Sequence, residues 1–300
     1  MTYLPDDFVP ALGVTDAHAQ TLLGLVARPS IQLPLVRQRI ETPDGDFVDI
    51  DVLQGRMGAP TVVVIHGLEG HSRVGYVLQI LAGCWRRGWS GVALNLRSCS
   101  SEPNRRPEAY SSGDYRDLEL LVSQRTGPVF AVGFSLGASL LLNYLAKAQP
   151  STISAAVAVS APFNLAQSAT YLDSNAPFAK VYRSHFLPTM KQKALIKAQR
   201  FPEALNARAI RDVKTIRDFD HAVTAPMFGF SSAEDYYTQC SSGPLLQRIR
   251  TPTLLISADD DPLASAAVLR DENRFMDHSY IEILHSRYGG HVGFVAGSVL

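Results

Sequence analysis

The sequence predicts an α/β fold: a mainly parallel central sheet flanked by helices, with a helical cap inserted late in the chain. Three observations carry this. Short apolar runs alternate with segments of helical periodicity, the pattern of repeated βαβ units. The runs, such as Val62 to Ile65, are apolar at every position, as strands covered on both faces must be. The alternation lapses from about Phe163 to Gln247 and resumes with "TPTLLISA" and "SYIEIL".

Taken in order, residues 36 to 56 ("VRQRIETPDGDFVDIDVLQG") read as an antiparallel pair. Pro43, Asp44 and Gly45 supply its turn, since Pro presets φ and Gly tolerates positive φ. The strand at 62–65 follows, then a helix over about 74 to 86 and the strand "WSGVALNL". A polar loop, "RSCSSEPNRRPEAYSSGDYRD", leads to a helix near 114 to 124. Val129 to Val132 form a buried strand, Leu136 to Leu145 recur at helical spacing, and "ISAAVAVSAP" is the next strand. The segment 163–247 is rich in aromatic and basic residues and holds helical pieces such as "TMKQKALIKAQR". The expected organisation is one domain over 1–300, interrupted by a cap over approximately 163–247.

Composition narrows the function. Lys+Arg and Asp+Glu are 28 each, so the formal net charge is zero. No basic excess points to nucleic acid or to an anionic membrane surface. Neither a phosphate-cradling GxxxxGK[ST] nor a strand-linked GxGxxG is present. "MTYLPDDFVPALG" lacks the basic-then-apolar order of a secretory leader, and no apolar run approaches the roughly 18 residues of a membrane span. Cys84, Cys99 and Cys240 are too scattered for a disulfide framework or a metal-binding pair. These features predict a cytoplasmic chain without metal, cofactor or transmembrane segment. The oligomeric state is not legible.

The chemistry concentrates at Gly133-Phe134-Ser135-Leu136-Gly137, where an apolar strand becomes an apolar helix. A polar serine at that junction, flanked by glycines that allow close backbone approach, has the G-x-S-x-G form of a nucleophile elbow. Without that context Ser135 would be a simple helix cap. A serine hydroxyl needs a base to take its proton, and on this topology acid and histidine follow in that order. The acid lies among Asp259, Asp260 and Asp261 after the strand "TPTLLISA"; Asp261, held extended by the next proline, is the choice. Three histidines follow. His278 sits at the wrong end of the last strand, His285 ends it, and His291 lies in the loop "SRYGGHVGF" beyond. His291 is the expected base, with His285 as the alternative. Oxyanion donors are expected at the backbone N–H groups of Leu136 and of Leu68 in "VVVIHGLEG". His66 and His71 lack the helical HExxH spacing of a zinc site, so His66 is read as a brace for that loop. Cys99 reads as structural.

With these residues in place, the chain resembles the YheT-like branch of the α/β-hydrolases, related to EMB8-type plant proteins and animal abhydrolases. The likeness rests on seven stretches in order: "DAHAQTLLG", "TPDGDFVDID", "HGLEGHSRVGYV", "GFSLGASLLLNYL", "FDHAVTAPMFGFSSAEDYY", "ADDDPL" and "GGHVGF". It implies a nucleophile at Ser135, an acid at Asp261 and a base at His291. The family loop usually reads RGCSGEPN followed by YHSG. Here Ser98, Ser101 and Ser111 replace two glycines and a histidine. Relatives usually continue into a longer terminal helix, so a shortened end is implied. The expected activity is hydrolysis of uncharged short-to-medium acyl esters, the partner being a small ester or lipid-like molecule. A catalytically silent binding protein and an acyltransferase are the alternatives. The eight aromatic rings Phe163, Tyr171, Phe178, Tyr182, Phe186, Phe228, Phe230 and Tyr236 are expected to build the cap core, some of them lining the acyl pocket.

Overall fold

The apolar runs pair with one another because each is too hydrophobic to leave either face in water. The computed structural model describes residues 2–3, 7–26, 31–270 and 278–297; the terminus implied to be short falls on 298–300, outside that range. Strands β1 (Thr2–Tyr3), β2 (Val36–Glu41), β3 (Phe47–Leu53), β4 (Thr61–Ile65), β5 (Ser90–Leu94), β6 (Val129–Phe134), β7 (Ile153–Val159), β8 (Thr253–Ala258) and β9 (Ile281–Ser286) form one sheet. Its order is β1-β9-β8-β7-β6-β4-β5-β3-β2. β2 and β3 form the expected antiparallel pair, Glu41 opposite Phe47, and β3 runs antiparallel to β5. The remaining pairings are parallel. β4 and β6 are buried along nearly their whole length.

Chain order reverses at β4, which has β5 on one side and β6 on the other. Sites in open α/β sheets form beyond the strand carboxyl ends at such a switch point. The helices α1 (Ala17–Val26), α2 (Gly75–Arg87), α3 (Arg116–Ser123) and α4 (Leu136–Lys147) precede β7. α4 is buried on all sides from Gly137 to Ala146, as its apolar circumference requires. α1 had no counterpart in the sequence reading.

Between β7 and β8 the chain runs through α5 (Leu165–Asp173), α6 (Pro177–Arg200), α7 (Ala207–Asp212), α8 (Ile216–Phe219), α9 (Ala225–Phe228) and α10 (Ala233–Cys240). A π-helical segment, Asp220–Thr224, joins α8 to α9. This helical layer has a core of its own, built on Leu165, Tyr182, Met190, Ile210, Phe219 and Tyr236.

Candidate active site

Ser135 stands between β6 and α4 with φ 52° and ψ −121°, a conformation costly for any residue with a β-carbon. Its neighbours hold it there. A β-carbon on Gly133 would lie 2.5 Å from the Gly137 carbonyl oxygen, and one on Gly137 would lie 2.4 Å from that of His66. Only glycine lets strand and helix meet so tightly, and the Ser135 N–H is spent on the Val159 carbonyl at 2.9 Å. The strained turn aims the hydroxyl out of the sheet. Ser135 Oγ is 2.7 Å from His291 Nε2.

His291 Nδ1 lies 3.1 and 3.0 Å from the two carboxylate oxygens of Asp261. An acceptor on that side fixes the proton on Nδ1 and leaves Nε2 to accept from the serine. Asp261 is itself oriented: its Oδ1 accepts the N–H groups of Leu263 and Ala264, each at 2.8 Å. The three adjacent aspartates diverge. Asp259 reaches His285 Nε2 at 2.8 Å. Asp260 Oδ1 accepts the Gly290 N–H at 2.9 Å, and burial pushes its carboxyl pKa up. Asp261 alone among them meets His291. His285, the alternative base, turns its Nδ1 to Ser257 Oγ at 2.7 Å.

Leu68 and Leu136 line one cavity of about 60 Å³. Leu136 opens α4, where helix N–H groups point outward and favour negative charge. The Leu68 loop is built tightly. Gly67 N–H donates to the Tyr76 hydroxyl at 3.0 Å, and Glu69 takes a left-handed φ of 55°. Tyr110 accepts the Glu69 N–H at 3.0 Å and donates to Glu69 Oε1 at 2.8 Å. Lys193 of α6 closes the set, 3.0 Å from Glu69 Oε2. His66 is fully buried, and burial holds its imidazole down at about 4. Neutral, it donates from Nδ1 to the Gly67 carbonyl at 2.7 Å and accepts the Leu96 N–H at Nε2, 3.2 Å away. It braces the loop. Among the described residues no cluster of His, Cys, Asp or Glu is arranged to hold a metal.

The far cavity wall is mostly apolar: Met190, Ala194, Phe219, Val223 and Met227. Of the eight aromatic rings expected to build the cap core, with some lining the pocket, Tyr236 is the one that lines this cavity. Tyr182 packs in the core of the helical layer, Phe186 and Phe230 pack against it, and Phe178 stacks on His18. The lining thus combines two pliable methionines with the rings of Phe219 and Tyr236. Among the polar wall groups, Lys197 Nζ donates to the Arg106 and Glu108 carbonyls at 2.7 and 3.0 Å. Burial lowers that amine to about 8. Asp220 accepts from Thr224 and Tyr237 at 2.7 Å each, while burial pushes it up to about 6. Local sequence patterns offered no signal for Glu69, Tyr110 or Lys193, which meet only in the fold.

The profile of the alpha/beta hydrolase fold family matches residues 60–295. The chain belongs to the α/β-hydrolase fold family. Within it the YheT-like resemblance holds. YheT of Escherichia coli (strain K12), named a candidate esterase, is 37% identical over 98% of this chain and 88% of its own length. Phospholipase ABHD3 of Bos taurus is 30% identical, over 97% of this chain and 74% of that protein. The solved esterase Pf2001 of Pyrococcus furiosus shares the fold at a TM-score of 0.56 and 14% identity, covering 88% of this chain and 89% of that one. No helix among the described residues is long and apolar enough to cross a membrane.

Proposed function

We propose that the chain is a serine hydrolase that cleaves carboxylic esters of uncharged, short-to-medium acyl groups through an acyl-enzyme on Ser135. The esterase and lipase-type names of its relatives support hydrolysis as the general chemistry. The observation that carries the finer reading is the 2.7 Å contact of Ser135 Oγ with His291 Nε2 at a strained elbow. Ser135 Oγ attacks the acyl carbon while His291 takes its proton. Asp261 holds the imidazole tautomer and stabilises the imidazolium. The N–H groups of Leu136 and Leu68 receive the developing oxyanion, and loss of one such donor typically costs roughly 10²–10³ in rate. His291 then protonates the leaving alcohol. Water, deprotonated by the same histidine, releases the acid and restores Ser135.

The cavity beyond the oxyanion donors suits the acyl tail. Its cations are already satisfied, Lys193 by Glu69 and Lys197 by two carbonyls, which favours an uncharged chain over an anionic one. We read residues 1–300 as one domain, 163–247 as a cap roofing Ser135, and the compartment as cytoplasmic.

A fluorophosphonate probe followed by peptide mass spectrometry tests the nucleophile, and p-nitrophenyl esters of two to twelve carbons test the pocket. We expect label on Ser135. We expect kcat/KM to climb from acetate until the cavity fills, each buried methylene being worth roughly 0.8 kcal/mol. No labelling would favour a silent binding protein. Ester consumed only with an added alcohol would favour acyl transfer. A peak at acetate would end the apolar-pocket reading.

A further inference from the structure

The stretch "DAHAQTLLG", residues 16–24, lies ahead of the region that the family profile matches, and the mechanism above gives it no part. Its helix nonetheless grips the loop that carries His291. α1 presents Ala17, Gln20, Thr21 and Gly24 on one face, at the i, i+3, i+4, i+7 spacing. The segment 289–295 lies against that face. Thr21 Oγ1 accepts the His291 N–H at 2.9 Å and donates its own proton to the Ala17 carbonyl at 2.7 Å. Gln20, fully buried, accepts the Val295 N–H at 2.6 Å and donates to the Val14 and Val295 carbonyls at 2.6 and 3.1 Å. A β-carbon on Gly24 would come within 2.7 Å of the Gly293 Cα, so the two backbones touch.

α1 also meets the cap. His18 stacks on Phe178 of α6 with ring centres 3.8 Å apart. Its Nδ1 hydrogen-bonds the Tyr182 hydroxyl at 2.9 Å. Packing alone would put apolar side chains at 20 and 21. A buried glutamine and threonine cost desolvation unless their polar atoms are used. Here those atoms serve the one loop whose histidine must stay within hydrogen-bond reach of Ser135.

We propose that α1 is a positioning element for the base: Thr21 fixes the backbone of His291, and His18 ties the helix to the cap through Phe178 and Tyr182. The proposal rests on the reading of His291 as the base. Thr21 touches no reacting atom, so it is a positioning residue. Its loss should impair turnover more than substrate affinity.

Thr21→Val keeps the side-chain shape and removes the acceptor, whereas Thr21→Ser keeps the acceptor. Both would be assayed in the full chain with p-nitrophenyl butyrate, with the folded fraction followed by circular dichroism. For Thr21→Val, kcat should fall about tenfold with KM within about twofold of wild type, and Thr21→Ser should recover to within about threefold. Tyr182→Phe, which removes the His18 contact, should lower kcat about threefold alone and add little to Thr21→Val, since both act through α1 on the same loop. Tyr182→Phe carries the test if Thr21→Val does not fold. A lowered melting temperature with wild-type kcat, or Thr21→Ser as impaired as Thr21→Val, would overturn the positioning role. Wild-type turnover in Ser135→Ala or His291→Ala would remove the mechanism and this inference together. Inactive Ser135→Ala and His291→Ala beside a fully active, folded Thr21→Val would remove this inference alone.

Discussion

Two serine–histidine–aspartate sets stand at the same end of the sheet, and they differ in everything except residue type. In one, Ser135 faces His291 Nε2 while Asp261 faces Nδ1. In the other the ring is reversed: Ser257 faces His285 Nδ1 and Asp259 faces Nε2. Ser257 lies inside β8 directly across from His285 in β9 and is 2% exposed. Ser135 sits on a strained turn at a helix N-terminus, beside two oxyanion-donor candidates and a cavity. Asp261 is buried and doubly bound by backbone N–H groups, whereas the Asp259 side chain is 42% exposed. The second set is a cross-strand polar tie. Under the proposed mechanism it is backbone strain, access and neighbouring donors, not composition, that separate Ser135 from Ser257.

The largest expected effect breaks the two sets apart. Ser135→Ala should lower kcat/KM by about 10⁴ or more and abolish fluorophosphonate labelling, by analogy with removal of a nucleophile that acts as part of a unit. Ser257→Ala should keep kcat/KM within about twofold and lose at most about 1 kcal/mol of stability with its one hydrogen bond. Steady-state kinetics and chemical denaturation read both. A large activity loss in Ser257→Ala, with the fold intact, would mean the tie participates in turnover.

The aspartates sharpen the comparison in a graded way. Asp261→Asn should cost about 10³–10⁴ in kcat, because the amide no longer stabilises the productive tautomer. Asp260→Ala frees the Gly290 N–H next to His291 and should cost about tenfold. Asp259→Asn should leave kcat unchanged, since its partner His285 does not reach Ser135. Equal losses at 259 and 261 would erase the distinction between the sets.

This grading also shows where sequence reading stops. The strand–serine–helix unit was legible because periodicity changes within five residues and because a glycine is needed on each side of Ser135. Asp259, Asp260 and Asp261 were separable only by the proline after the last, since three identical residues in one loop carry no internal pattern. Thr21 escaped notice altogether. Its partner His291 is 270 positions away, and local periodicity encodes no contact of that range. The cavity lining was legible only in kind: aromatic residues advertise burial, and most pack in or against the helical layer's own core as expected, but nothing local singled out Tyr236 as the ring that also meets the cavity.

The smallest effect concerns a second strained serine, which tests whether strain marks function. Ser98, at a position where the resemblance implies glycine, adopts a left-handed φ of 68°. Its N–H donates to Asn104 Oδ1 at 2.6 Å, but its hydroxyl is buried without a partner. At Ser135 the strained backbone aims a hydroxyl at His291; at Ser98 the hydroxyl reaches no polar group. Ser98→Gly should relieve about 1–2 kcal/mol of left-handed strain and add up to about 1 kcal/mol of unfolded-chain entropy. Removal of the unpartnered hydroxyl tips the balance toward a gain of about 1 kcal/mol, or about 2 °C in melting temperature for a chain of this size. Scanning calorimetry of the variant beside wild type would read that shift, with kcat expected within about twofold. A lower melting temperature would mean that the Ser98 side chain supports the loop, and that strain without chemistry can still be structural.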